Sequence, residues 1–285
     1  MSILYNTLRV GAEKPFTVIH ISDTHLTYAD MRDGERKVKL AEEERSQSFF
    51  HAEEVLQKAS TLSKELGVPI LHTGDLIDFV SLANLERVKG FTDEYDCFFA
   101  AGNHEFSLYV GEAWEDADYR NQSLAKVQAA FKNDIRMSSR IIGGVNFVAL
   151  DDGYYLFEDA QTEFVKNEAK KGLPMVLMMH NPIHEPKLYE ATMFRREEYG
   201  LHPVKNPCAY LTGTPDELRQ CYEPMRFRQQ QPDEATYRAI EYFRTEPLIK
   251  AVLTGHLHVN YEGELVPGVP QIITSTEDIR VIRVE

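Results

Sequence analysis

Cysteine is scarce and unpatterned in this chain. Cys97, Cys208 and Cys221 form no C-x-x-C pair and leave an odd number. That excludes a disulfide scaffold and makes a reducing cytoplasm the expected setting. Positive charge is in deficit: 31 Lys and Arg face 45 Asp and Glu, for a net charge of -14. General coating of nucleic acid relies on Lys and Arg neutralising phosphates, so a nucleic acid polymer is not the expected partner. A small anionic substrate is still allowed, because bound cations can dominate the local field. Long apolar runs are missing as well. Those present, such as Pro174 to Met179, are strand-sized and far short of a membrane span, so no membrane partner is expected. Met1 to Val10 carries charged and polar residues and no signal-peptide core, which again points to a cytoplasmic protein. With 43% hydrophobic and 27% charged residues the composition is that of an ordinary globular protein.

What is present is a recurring unit, a short apolar run that ends in Asp, His, Asn and Gly. Phe16 to His25, Val68 to Asp75, Cys97 to His104, Met175 to His180 and Ile249 to His256 all follow it. Runs of this size suit strands buried on both faces, and open α/β sheets place their chemistry where such strands become loops. Between them lie helical patterns. Phe49, Ala52, Leu56, Ala59, Leu62 and Leu66 keep one face and stop at Gly67-Val68-Pro69. Leu124, Val127, Phe131 and Ile135 repeat that spacing, Phe164, Val165 and Ala169 do so less clearly, and a further helix is expected near Ala235 to Phe243. Ile141 to Leu150, Gln271 to Thr274 and Ile279 to Val284 read as strands. The alternation predicts an α/β fold. The 285 residues are expected to form one domain, with an aperiodic lid or cap insertion at about 185–232.

The polar residues at the run ends form a ligand inventory. Asp23 and His25 lie on one side of an extended chain, because strand side chains repeat every two residues, and His256 and His258 repeat that geometry. Asp75 follows Gly74, Asn103 precedes His104, and His180 ends a fourth run. Two Asp, one Asn and four His suit Mn, Fe or Zn better than Ca or Mg. Any one strand histidine is more often packing than ligand, but five clusters at five run ends are not a packing pattern.

These residues resemble the calcineurin-like metallophosphoesterase superfamily, whose motifs are D-x-H, G-D-x-x-D, G-N-H-[DE], H and G-H-x-H in that order. Here they read Asp23-Thr24-His25, Gly74-Asp75-Leu76-Ile77-Asp78, Gly102-Asn103-His104-Glu105, His180, and Gly255-His256-Leu257-His258. The resemblance implies a four-layer αββα sandwich with the site at the strand ends. It implies a first metal ion on Asp23, His25, Asp75 and His258, and a second on Asp75, Asn103, His180 and His256, with Asp75 shared. His104, oriented by Asp78, would stabilise the transition state or protonate the leaving alkoxide beside the metals. The implied reaction is in-line attack on phosphorus by a hydroxide shared between the ions.

The superfamily has several branches. Ser/Thr protein phosphatases carry phosphate-gripping arginines where this chain has Phe79 and Ala101, and purple acid phosphatases carry Gly and Tyr where it has His25 and Asp78. The G-D-L-x-D form is similar to the bacterial phosphodiesterase branch, although Glu105 stands in place of Asp and Asn181 in place of a second His. The expectation is a hydrolase of a small phosphodiester. The alternatives are a phosphomonoesterase of small metabolites and a metal-bound, non-catalytic binding protein. His20 and His72 read as core histidines, His51 and His202 as surface, and His184 as an even choice between site lining and packing. Asp151-Asp152 reads as a turn before Gly153. Trp114, Tyr119, Tyr154 and Tyr155 read as core or rim. Arg195, Arg196, Arg226 and Arg228 read as exposed charges or as lid groups for a phosphate.

Overall fold

The computed structural model describes residues 1–110, 117–193, 211–220, 222 and 224–285. Its strands are β1 (Ile3–Leu8), β2 (Phe16–Ile21), β3 (Ile70–His72), β4 (Cys97–Phe99), β5 (Met137–Ile142), β6 (Val145–Leu150), β7 (Met175–Met178), β8 (Ile249–Thr254), β9 (Tyr261–Val266), β10 (Val269–Ile273) and β11 (Ile279–Val284). The helices are α1 (Glu35–Lys39), α2 (Ala52–Leu66), α3 (Leu82–Glu94), α4 (Ala117–Gln128), α5 (Asp159–Ala169), α6 (Pro186–Met193), α7 (Asp216–Arg219), α8 (Pro224–Gln229) and α9 (Glu234–Thr245). One sheet has the order β1-β11-β2-β3-β4 and the other β5-β6-β7-β8-β10-β9. Both are mixed. β2, β3 and β4 run parallel in the first, and β6, β7, β8 and β10 run parallel in the second.

The sandwich follows from the period-two alternation of strands that are apolar on both faces. Val145, Phe147 and Ala149 of β6 point to the same core as Val176 and Met178 of β7, Ala251 and Leu253 of β8, and Val18, Leu71, Phe98 and Ile282 of the other sheet. The intervening Val148, Leu150, Leu177 and Val252 turn the other way, onto α5 and α9. On the far side Ile19, Ile21 and Ile70 pack against Val55, Leu56 and Ala59 of α2 and Leu85, Val88 and Phe91 of α3. Helix, sheet, sheet and helix are the four layers.

The boundaries differ from the periodic reading in a few places. Helix α2 starts at Ala52 rather than Phe49 and ends at Gly67, whose φ of 64° is the left-handed cap that glycine tolerates. Helix α4 ends at Gln128, and Phe131 and Ile135 reach the same core from the turn that follows. Strands β1 and β9 carry no strong periodic signal. Helix α3 is not anticipated by that reading; Leu85, Val88 and Phe91 give it one apolar face, and the Ser81 hydroxyl accepts from the Asn84 N–H at its start. The segment read as aperiodic contains helices α6, α7 and α8. Leu188, Tyr189 and Met193 pack there with Leu211, Tyr222 and Ile273. Arg219, fully buried, donates to the carbonyls of Thr214 and Phe227. Among the described residues no helix is long and apolar enough to cross a membrane.

Phe147 is fully buried between the sheets, edge-on to Phe16 at 6.2 Å. Phe147→Ala should lower stability by about 3–5 kcal/mol through lost transfer energy and the cavity left behind. A urea midpoint that does not move would show that the two sheets do not share that core.

Candidate metal centre and active site

Every sequence-predicted ligand stands just beyond the carboxyl end of a parallel strand: Asp23 and His25 after β2, Asp75 after β3, Asn103 after β4, His180 after β7, and His256 and His258 after β8. Among the described residues six non-glycine positions have positive φ: Asp23, His25, Asp75, Tyr155, His256 and His258. Five are predicted ligands, and the sixth touches one of them. Left-handed backbone at such residues costs about 1–3 kcal/mol each and persists only where the surroundings impose it. The motif glycines are needed for the same close approach. A Cβ on Gly102 would fall 2.3 Å from Asp75 Oδ1, and one on Gly255 2.1 Å from Asp23 Oδ2.

The turns bring two donor clusters together, Asp23 with His25 and His258, and Asp75 with His180 and His256. His25 Nε2 lies 3.1 Å from His258 Nε2, and His258 Nε2 lies 3.3 Å from Asp23 Oδ1. In the second cluster His180 Nε2 is 3.1 Å from His256 Nδ1 and 3.0 Å from Asp75 Oδ2. Donors at about 2.0–2.1 Å from one ion stand roughly 3.0–3.4 Å apart, so these separations suit a shared cation. Asp75 Oδ2 also lies 3.7 Å from His25 Nε2, which puts one carboxylate oxygen between the clusters.

The imidazoles are oriented from behind. His180 Nδ1 donates to the Thr73 carbonyl at 2.7 Å and His25 Nδ1 to Asp78 Oδ1 at 3.0 Å. Each therefore turns an Nε2 lone pair to its cluster, the arrangement that fixes metal-binding tautomers. His256 presents Nδ1, and its Nε2 sits 2.8 Å from the hydroxyl of buried Tyr155. Glu105 is fully buried, and its two oxygens accept the backbone N–H groups of Asp75, Leu76, Ile77 and Gly102. That carboxylate ties the second motif to the third. Asp152 does the same for the fourth, accepting the His180 and Asn181 N–H groups.

His104 and Asp78 are adjacent, as the resemblance implies, with a refinement. The shorter bond, 2.6 Å, runs from His104 Nδ1 to the Asp78 backbone carbonyl, and Asp78 Oδ1 is 3.3 Å away. The Asp78 carboxylate is shared with His25 and gripped by Arg45, whose Nε and Nη2 donate to it at 2.7 and 2.9 Å. The Arg45 guanidinium lies 5.2 Å over the ring of Phe49, which stacks on His25 at 4.0 Å. Arg45 closes a π-helical turn, Leu40–Arg45, and such turns are frequent at functional sites.

Buried negative charge dominates this corner. Burial opposes a charged imidazole, yet Asp75 and Asp23 hold His180 up to about 10, and Asp75 and Asp78 hold His104 up to about 10. Burial equally opposes ionised Asp75, and His180 and His104 keep it well below the usual carboxylate range. Glu105 goes the other way, pushed up to about 8 by burial and Asp75 against its N–H donors. Such a concentration of carboxylates calls for cations. The Asn103 side-chain oxygen is buried with no hydrogen-bond partner, which fits an amide oxygen reserved for a metal.

Other singled-out residues fall elsewhere. His20 is a core residue between the hydroxyls of Thr73 and Thr274, and His72 packs against Thr24. His184 packs against Tyr189 at 5.6 Å. Asp151 accepts the Gly153 N–H, the turn expected there. The Tyr119 hydroxyl accepts from the Leu108 N–H, and His51 sits beside Glu54. Trp114, Arg195, Arg196, His202 and the Arg226 side chain lie outside the described residues. Sequence reasoning missed Arg45 and the roles of Phe49, read as part of a helix face, and of Tyr155; none belongs to a motif.

The chain belongs to the calcineurin-like phosphoesterase family, whose model matches residues 16–260. Membership implies divalent metal ions, and the candidate donor groups are the two clusters above and His25 with Asp78 and His104. No curated protein matches the sequence. Among solved structures it is similar to a dimetal phosphatase from Danio rerio at 13% identity and a TM-score of 0.48, covering 92% of this chain and 88% of that one. It is also similar to a phosphopantetheinyl hydrolase from Mycobacterium tuberculosis, at 11% identity, TM-score 0.43 and coverage of 92% and 90%. A 5′-nucleotidase from Candida albicans gives 13% identity and a TM-score of 0.40, over 92% of this chain and 46% of that one.

Removing the hydroxyl behind His256 tests the orientation of that ring. Tyr155→Phe should weaken Mn²⁺ binding by about 10–100-fold while leaving the fold intact by circular dichroism. Unchanged affinity would make Tyr155 a packing residue.

Proposed function

We propose that the chain is a dinuclear metal-dependent phosphoesterase that hydrolyses a small phosphate ester, a phosphodiester in preference. The first ion is assigned to Asp23, His25, Asp75 and His258, and the second to Asp75, Asn103, His180 and His256, from Mn, Fe or Zn. The observation that carries this reading is the pair of donor clusters meeting at one oxygen of Asp75. When bound, two such ions lower the pKa of a shared water and polarise the phosphoryl oxygens.

The rest is the work of the protein. His104, its Nδ1 held by the Asp78 carbonyl, has Nε2 left for the departing oxygen. With Nδ1 on the Asp78 carbonyl and the Asp78 carboxylate 3.3 Å away, it is assigned as the general acid that protonates the leaving alkoxide. Asp78 is assigned as its positioning partner, fixed in turn by Arg45. The preference for a diester rests on fixed charge. Phe79 and Ala101 are buried apolar residues, and among the described residues Arg45 is the one Lys or Arg side chain bonded to this group. Its guanidinium is on Asp78, so the described residues place no free Arg or Lys beside the donor clusters for a second phosphate charge. The segment at about 185–232 is assigned as a cap within a single domain, supported by its own small core beside Leu257. The odd number of cysteines supports a cytoplasmic setting.

The direct test compares bis-p-nitrophenyl phosphate with p-nitrophenyl phosphate in Mn²⁺ and in EDTA. Turnover should need the metal and favour the diester. A preference for the monoester would make the protein a metabolite phosphatase, and no turnover with both ions bound would make it a non-catalytic binder. On a diester with an alkyl leaving group, His104→Ala should keep its metals and lose about 10²–10⁴-fold in kcat. Full activity in that variant would remove His104 from the reaction.

A further inference from the structure

His20 is fully buried and has no part in the chemistry proposed above, yet both of its ring nitrogens are committed. Nδ1 lies 2.9 Å from the Thr274 hydroxyl and Nε2 2.9 Å from the Thr73 hydroxyl. The two threonines belong to different sheets: Thr274 follows β10 and Thr73 follows β3. Arg280 is the partner of His20 where β11 runs antiparallel to β2, and such cross-strand partners share a face. Its side chain is also buried, and Nε donates to the Thr274 hydroxyl oxygen at 3.0 Å. Nη1 donates to Asn6 Oδ1 at 2.6 Å and to Glu262 Oε1 at 2.8 Å, and Nη2 to the Ile273 carbonyl at 3.1 Å. The guanidinium is thus held by β1, β9 and the end of β10.

A guanidinium can only donate, which gives this series of bonds a direction. Thr274 Oγ1 accepts from Arg280, and among the described residues His20 Nδ1 is the acceptor within reach of its hydrogen. Left unpaired, that buried hydroxyl hydrogen would be costly. His20 therefore accepts at Nδ1 and carries its proton on Nε2, which donates to Thr73 Oγ1. Thr73 is the residue whose backbone carbonyl accepts from His180 Nδ1 at 2.7 Å, leaving Nε2 of that ring beside Asp75. Any buried histidine needs partners. This one stands between an arginine that fixes its tautomer and the residue that fixes the tautomer of a predicted ligand.

We propose that Arg280, Thr274 and His20 are positioning residues for the second metal ion, acting through Thr73 on the His180 ring. The inference rests on the dinuclear reading, which assigns His180 to that ion, and adds three residues that lie outside every motif. They meet neither the ion nor the substrate; their effect is to hold one backbone carbonyl, and with it one imidazole, in a single orientation.

Thr274→Val removes the linking hydroxyl and keeps the shape of the side chain, whereas Thr274→Ser keeps the hydroxyl. The two Mn²⁺ dissociation constants are measured by calorimetry on the full chain. Thr274→Val should weaken one of them about tenfold and leave the other unchanged, and Thr274→Ser should match the unmodified protein. In the metal-free chain, nitrogen-15 NMR should show the His180 Nδ1–H exchanging about two- to tenfold faster in Thr274→Val, the worth of one neutral hydrogen bond. A lower urea midpoint in Thr274→Val with both readouts unchanged would make the hydroxyl a packing feature and overturn the proposal. Equal losses in Thr274→Val and Thr274→Ser would overturn it as well. Were the unmodified chain to bind fewer than two ions, the dinuclear reading would fall, and exchange of the His180 proton would still decide the role of the series.

Discussion

A buried carboxylate organises this molecule. Asp75 sits at the end of β3 with one oxygen accepting the His104 N–H at 2.9 Å and the other 3.0 Å from His180. Its backbone N–H is in turn held by Glu105, and Glu105 also holds Gly102. Two strand ends and two motifs are thereby locked around one side chain. An ionised carboxylate in such a place is unfavourable unless positive charge stands opposite. In the chain alone the histidines supply that charge. Histidines bind metals in their neutral form, so at the proposed ligands cation and proton would compete for the same nitrogens.

The strained backbone at these strand ends is sustained by what lies behind it. Left-handed conformations at Asp23, His25, Asp75, His256 and His258 are imposed by strands whose side chains are buried on both faces. Ile19, Ile21, Ile70, Leu71, Val252 and Leu253 have essentially no exposure. Rigid packing on either side of each strand leaves the following turn little choice of direction. The sandwich and the site are therefore one construction, with the apolar runs supplying the stiffness that the polar ends need.

That coupling explains how much of the protein was legible in its sequence. The five core strands and their terminal Asp, Asn and His could be read because burial on both faces writes a continuous apolar run, and a strand end writes the ligand beside it. Helix α3 went unread although Leu85, Val88 and Phe91 keep one face behind the Ser81 cap, because the polar Asn84 and Thr92 share that face. Strands β1 and β9 are edge strands with exposed positions such as Tyr5, so their alternation is diluted. Tyr155 and Arg45 act on the site through one hydroxyl and one guanidinium from loops without a motif. Nothing in local sequence distinguishes them from surface residues, since their contacts lie 101 and 33 positions away along the chain.

Arg45 also joins two parts of the site that are built differently. The donor clusters are fixed by short turns at strand ends, whereas the segment from Leu40 to His51 is a π-helical turn followed by loop, resting on the site rather than forming part of a sheet. Segments of that kind are free to differ between relatives while the strand ends stay the same. Here, however, the segment reaches inward. The guanidinium of Arg45 holds the carboxylate that orients both His25 and His104, and Phe49, four residues on, closes over His25. A side chain of that segment thus supports both His25 and His104 through Asp78. Any shift of that segment changes the packing on His25 and the footing of Asp78 together, so the second motif and the first are mechanically linked through a single ion pair.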